Sequence, residues 1–173
     1  MVPRTRRPTT RWAVLHKLSI IIRIALAIPS TLYLETATDH SDLVQYHDIL
    51  HNGTYSPAIP TGEKLAAKWG TIAGIWNIAI CFPHFILLPP LHLPLVIMDT
   101  IITVYLAFAT HLQDTFVPHD KKACDNMSKF ENERPWGTNE SFFAAAARLN
   151  GTMNPSEMCG DFVEEWQYGI SIS

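Results

Sequence analysis

The segment 69–112 constrains the fold most, because Asp99 is its single Asp, Glu, Lys or Arg residue. The pair Pro89–Pro90 divides it into two apolar stretches, 69–88 and 91–112, and each has roughly the 20 residues that a helix needs to cross a bilayer. A chain of 173 residues has too little remaining sequence to bury both stretches in a soluble core. We therefore predict two membrane-spanning helices, which so short a link forces to run antiparallel.

A third apolar stretch, 18–34, follows a basic N-terminus, 1–17. A cleaved signal sequence is the alternative interpretation. The stretch is longer than a usual signal core, Arg23 and Pro29 interrupt it, and no small-residue cleavage site follows, which favours a retained span. The expected fold is an all-α membrane protein, with three transmembrane helices in a small bundle and irregular outer loops.

The distribution of basic residues predicts a cytoplasmic N-terminus. The connection 35–68 carries two lysines and five acidic residues. Basic residues without any Asp or Glu precede the first span: Arg4, Arg6, Arg7, Arg11 and Lys17. Because positive residues remain on the cytoplasmic side, the connection 35–68 and the segment 113–165 are both expected outside.

Acceptor sequences for N-glycosylation give an independent indication of the same orientation. They begin at Asn52, Asn126, Asn139 and Asn150. All of them fall in the two segments that are expected outside. We therefore expect a glycoprotein of the secretory pathway, with the plasma membrane as its destination.

The cysteines fit this orientation. Cys124 and Cys159 lie in the same outer segment, while Cys81 lies within the second span. An oxidising compartment permits a surface disulfide between Cys124 and Cys159, and two free thiols are the alternative.

Asp99 is the most costly residue to place in a membrane, at roughly 2.5–3.5 kcal/mol near the centre of a span. We expect it to be protonated, to face the bundle or to find a partner among Asn77, His84 and His92. Arg23 lies near the cytoplasmic end of its helix, from which its long side chain is expected to reach water.

Small residues recur on one face of the second span. Ala66, Gly70 and Gly74 follow each other at a spacing of four residues, which lets two helices approach closely. Packing within the chain is the first interpretation, and association into a homo- or hetero-oligomer is the second.

The outer segment 113–165 contains one alanine-rich stretch that predicts a short helix near 139–149. Asn139 is the expected N-terminal cap, and Gly151 follows its end. Residues 166–173 resemble the first turns of a further span, far short of the ~20 residues needed to cross. We expect the fourth span to be missing.

Composition and motifs exclude several classes of function. The net charge of −3 gives no basic surface for nucleic acid. No phosphate-binding loop, dinucleotide fingerprint or nucleophile elbow is present. His47 and His51 have helical spacing but lack the glutamate of a zinc-protease helix. The sequence predicts no enzyme, no cofactor and no metal site.

The run Ser141–Ile170, "SFFAAAARLNGTMNPSEMCGDFVEEWQYGI", resembles fungal four-span membrane proteins of the MARVEL-like type. The basic start "RWAVLHKLSIIIRIALA", the glycine-bearing second span and the tight second hairpin extend the resemblance. It implies a protein of membrane organisation or apposition, with both termini cytoplasmic in the complete four-span architecture.

We expect a structural, membrane-organising protein whose partners are the lipid bilayer and other transmembrane helices. A transporter or proton-coupled subunit that uses Asp99 is a second hypothesis, and a truncated product without a function of its own is a third.

Overall fold

The structure is a computed structural model that describes residues 10–51, 55–84, 92–125, 140–151 and 154–173. These residues form helices and short connections, without a strand among them. The all-α prediction is therefore confirmed. The helices are α1 (Thr10–Tyr46), α2 (Asp48–His51), α3 (Ala58–His84), α4 (His92–Asp114), α5 (Lys121–Cys124), α6 (Phe142–Asn150) and α7 (Pro155–Ile172).

Among the described residues, two helical segments are long and apolar enough to cross a membrane, Lys17–Tyr46 in α1 and Leu93–Asp114 in α4. The segment predicted as the second span, 69–88, begins within α3, but residues 85–88 lie outside the described part of the chain. The bundle of three spans therefore stays a prediction, and the coarser statement is that two apolar helices could span a bilayer.

The helices extend well beyond the predicted spans. α1 continues through the first third of the predicted outer loop 35–68, and α3 begins at Ala58, so residues 47–57 make the connection and include the short α2. The polar composition of this region misled the interpretation, because most of the polar residues there lie on the outer face of α1. Its inner face continues a buried stripe at a spacing of three or four residues: Tyr33, Ala37, His40 and Val44.

The long helices α1, α3, α4 and α7 pack against each other, and at one end the short helices cover them. We call this end the cap. It comprises α2, α5, α6, the first half of α7 and the adjoining ends of α1, α3 and α4. Its core contains Val44, Leu50, Tyr55, Ile59, Phe116, Val117, Cys124, Phe142, Phe143, Met158, Cys159, Phe162 and Val163.

Local capping explains where α6 and α7 begin. The Ser141 side chain accepts a hydrogen bond from the backbone N–H of Ala144, and Gly151 ends α6 with a left-handed φ of 72°. The N-terminal capping residue of α6 is therefore Ser141 and not Asn139, which lies outside the described residues. Asn154 and Glu157 form a reciprocal capping box at the start of α7.

A disulfide joins Cys124 of α5 to Cys159 of α7. It closes a sequence separation of 35 residues, which contributes about 3–4 kcal/mol in the chain-entropy treatment. Both cysteines are buried in the cap core, so the disulfide is internal and not the surface bridge that was expected. The reason is that α6 and α7 fold over it and carry Phe142, Phe143 and Phe162.

The small residues of α3 pack within the chain. A Cβ atom on Gly70 would lie 2.9 Å from the Tyr33 ring, and one on Gly74 would lie 3.3 Å from Leu34 Cδ2. Ala66 on the same face is fully buried. This stripe lets α1 approach α3 closely, as the first interpretation expected.

Gly169 of α7 permits a second close approach. A Cβ atom there would lie 2.5 Å from Thr110 Cγ2 of α4 and 3.1 Å from the Tyr33 ring of α1. Gly160 of the same helix has nothing within 4 Å of that position.

Gly169→Ala should destabilise the fold by about 1–3 kcal/mol, because the added methyl group overlaps a buried side chain. Gly160→Ala is the matched control and should stabilise α7 by about 0.5–1 kcal/mol through helix propensity alone. Thermal unfolding of both variants in detergent measures the difference. Equal stability changes in the two variants would contradict the described packing of α7.

Candidate functional site

The four long helices each contribute one polar side chain to a single buried position between the helices. These residues are His40 of α1, Glu63 of α3, Gln113 of α4 and Glu165 of α7. His40 is 7% exposed, and the other three are fully buried. We call them the buried polar cluster.

Each member lies in the inward stripe of its own helix, which explains its burial. Buried neighbours precede and follow it at a spacing of three or four residues. The stripes are Ala37–His40–Val44, Ile59–Glu63–Ala66, Phe162–Glu165–Gly169, and Ala109–Gln113 with Phe116 just past the end of α4.

Gln113 connects the two carboxylates. Its Nε2 donates to Glu63 Oε1 at 3.0 Å and to Glu165 Oε1 at 2.6 Å. His40 Nδ1 lies against Glu165 Oε2, and the His40 ring stacks on Phe162 with 4.0 Å between ring centroids. The ring stack and the carboxylate contact fix the orientation of the imidazole.

The cluster leaves polar atoms unsatisfied. Glu63 Oε2, Gln113 Oε1 and the Tyr33 hydroxyl are buried without a hydrogen-bond partner. Such atoms are rare in native structures, because each loses its hydration without a replacement. A proton shared by the two carboxyl groups, a water molecule or a cation would satisfy such atoms.

Burial raises the pKa of Glu63 well above its usual range, and the negative charge of Glu165 raises the pKa further. The hydrogen bond from Gln113 lowers the pKa of Glu63, whereas a hydrogen bond shared with the Glu165 carboxyl group raises it. Two carboxylates this close cannot both stay ionised without a compensating positive charge. The cluster can therefore hold either a shared proton or a cation.

A second polar site lies towards the other end of the bundle. Arg23 of α1 forms an ion pair with Asp99 Oδ2 of α4. The Trp76 indole Nε1 of α3 donates to Asp99 Oδ1 at 2.8 Å. The structure thus connects three helices through one carboxylate.

The position of Arg23 corrects two expectations about the polar residues of the predicted spans. Arg23 is the ionic partner of Asp99, whereas Asn77 instead donates to Ser30 Oγ at 3.0 Å. Arg23 does not extend its side chain to water, because Asp99 offers a closer opposite charge and the side chain is only 13% exposed. The side chains of His84 and His92 lie outside the described part.

A cavity of about 320 Å³ adjoins the ion pair. Its lining includes Arg23, Trp76, Asn77 and Asp99, together with Ile172 at the end of α7. The other lining residues are mainly apolar, as expected for a space between helices.

The predicted glycosylation sites are only partly described. Asn150 is exposed at the end of α6, within the cap. Asn52, Asn126 and Asn139 lie outside the described residues. Glycosylation itself stays a prediction.

Comparison with protein-family models, with curated proteins and with solved structures finds no match to this chain. The MARVEL-like resemblance therefore stays a prediction.

The sequence interpretation missed the whole buried polar cluster, although a signal for it was present. Glu63 lies about one helical turn before Ala66, on the face of α3 that carries the small residues. That face was expected to pack against another helix of the chain. Assignment of 35–68 to an outer loop placed His40 and Glu63 in solvent, and this assignment concealed the signal.

Asp99→Asn should destabilise the bundle by about 2–4 kcal/mol, because it leaves the Arg23 guanidinium without a carboxylate between the helices. Arg23→Gln should have a similar effect, and the double variant should lose less than the sum, by about 0.5–3 kcal/mol. Asp39→Asn, an exposed position on α1, is the control. Additive single effects, measured by thermal unfolding in detergent, would disprove a direct Arg23–Asp99 interaction.

Proposed function

We propose that this chain is a non-catalytic, polytopic membrane protein of the MARVEL-like type that organises lipid or partner proteins. The N-terminus lies in the cytoplasm and the cap lies on the opposite side of the membrane. In addition to α1 and α4, the helix α3 crosses the membrane, which makes three spans.

The apolar exterior of the bundle below the cap carries this proposal. Exposed side chains include Ile21 (63%), Ile28 (69%), Leu93 (68%) and Val104 (60%). Soluble proteins rarely expose apolar patches of more than a few hundred Å². A hydrocarbon environment removes the cost of this exposure, since lipid chains are as apolar as these side chains.

The distribution of charged residues along α1 also supports placement of the bundle below the cap in lipid. Between Lys17 and Glu35, Arg23 is the single residue among Asp, Glu, Lys and Arg, and it faces Asp99 instead of the exterior. The interval is long enough to cross most of the ~30 Å hydrocarbon core as a helix.

The common position of the two outer segments also supports the proposed topology. Tyr55, from the connection between α1 and α3, packs edge-on against Phe142, from the segment between α4 and α7. Both segments therefore belong to one cap, as two loops on the same side of a membrane would.

The environment of Asp99 favours a structural role over proton-coupled transport. A transport carboxylate must exchange protons or ions, whereas Asp99 is held by both Arg23 and Trp76. Structural pairing of this kind connects spans without any need for a transported species.

Glycosylation tests the proposed topology. In cells or microsomes the chain should show a mobility shift that peptide N-glycosidase removes, and stepwise Asn→Gln changes at 52, 126, 139 and 150 should abolish it. The protein should also remain in the membrane pellet after alkaline carbonate extraction.

A new acceptor sequence added before Met1 is the control and should stay unmodified. Glycosylation of this added sequence, together with unmodified native sites, would show the opposite orientation. Release of the protein by carbonate would contradict membrane insertion itself.

A further inference from the structure

We propose that the buried polar cluster is a binding site for a divalent metal ion of the zinc class, with His40, Glu63 and Glu165 as ligands. This inference goes beyond the proposed membrane-organising function and does not depend on it.

The geometry of the three side chains fits a metal. One ligand atom from each, an imidazole nitrogen and two carboxylate oxygens, lies within 4.8 Å of the others. Tetrahedral zinc with ligands at about 2.0–2.1 Å requires ligand atoms roughly 3.4 Å apart. The ligand atoms are therefore close enough for side-chain rotations to bring them around one ion.

Gln113 supplies a fourth donor and an independent indication of a ligand. Its Oε1 is fully buried and unpartnered, although its Nε2 contacts both carboxylates. Rotation of the terminal amide by about 180° exchanges these two atoms, which turns Oε1 towards the carboxylates. That orientation is unfavourable beside bare carboxylates and favourable beside a cation that they bind.

Charge neutrality also favours a divalent ion. The carboxylates of Glu63 and Glu165 are both fully buried. Within the described residues, the group that can offer them a positive charge is His40, which contacts Glu165. A protonated His40 would leave one negative charge uncompensated. A divalent ion with a neutral imidazole compensates both carboxylates and uses the unpartnered Glu63 Oε2.

The donor set selects the metal. Imidazole together with carboxylates suits zinc and similar transition metals, whereas magnesium requires near-octahedral oxygen ligands and retains several waters. The Phe162 ring against His40 restricts the imidazole orientation, as the surroundings of metal-bound histidines commonly do. The metal would join α1, α3, α4 and α7 at one point beneath the cap.

The test uses the full chain in detergent micelles, without a polyhistidine tag and with Cys81→Ser to remove the cysteine that lies outside the disulfide. After treatment with EDTA and removal of the chelator, equilibrium dialysis against Zn²⁺ should give one ion per chain. At a hundredfold excess over Kd, Zn²⁺ should raise Tm by about 5 °C or more, and Mg²⁺ at that concentration should not.

Glu165→Gln and His40→Gln should each weaken Zn²⁺ binding at least tenfold. Glu164→Gln is the matched control, since the neighbouring carboxylate is partly exposed and pairs with Lys121. His47→Gln is the second control, at a histidine of the connection between α1 and α2. Both controls should bind Zn²⁺ with unchanged affinity.

Absence of a Zn²⁺-dependent rise in Tm for the parent protein would overturn the proposal, whether or not the variants fold. Equal loss of binding in Glu164→Gln and Glu165→Gln would overturn it as well. In that case the cluster holds a shared proton between its carboxylates. Neither outcome bears on the membrane topology, which the glycosylation experiment tests separately.

Discussion

The Tyr33 ring of α1 packs against two neighbouring helices, and each of them has a glycine at the point of contact. These glycines are Gly70 of α3 and Gly169 of α7. Thr110 of α4 touches the same Gly169 position. The absence of side chains at both glycines brings all four long helices within reach of one another. One or two turns closer to the cap, this approach is what allows four inward polar residues to meet. The buried polar cluster depends on close helix packing more than on any attraction of its own.

The sequence predicted the elements that depend on local or compositional rules. Apolar stretches identified the helices around 18–34 and 91–112, and the spacing of Gly70 and Gly74 identified a packing face. The extent of α1 and α3 could not be read from composition, because a polar outer face hides a buried inner stripe. The ionic partner of Asp99 could also be identified only from the three-dimensional structure. Arg23 is 76 residues away in sequence, and only the packing of the helices into one bundle brings the two together.

Two polar sites divide the bundle into parts with different physical tasks. The Arg23–Asp99 pair lies where the exterior is apolar, and each charge finds its opposite charge within the bundle. The buried polar cluster lies beneath the cap, where a disulfide and aromatic packing hold the short helices. In the account proposed here, the lower part anchors the protein in the bilayer. In the same proposal, the cap is the surface that other molecules meet.

Placement of the apolar half of the bundle in lipid is the central claim, and collision measurements on α1 test it most directly. In a Cys81→Ser background, single nitroxide labels at Ile28 and at Asp42 would be compared in reconstituted vesicles. Both positions are exposed on one continuous helix. If this half of the bundle lies in lipid, the label at position 28 should collide mainly with oxygen dissolved in lipid. The label at position 42 should collide mainly with a water-soluble nickel complex. Equal access of the nickel complex to both positions would contradict it.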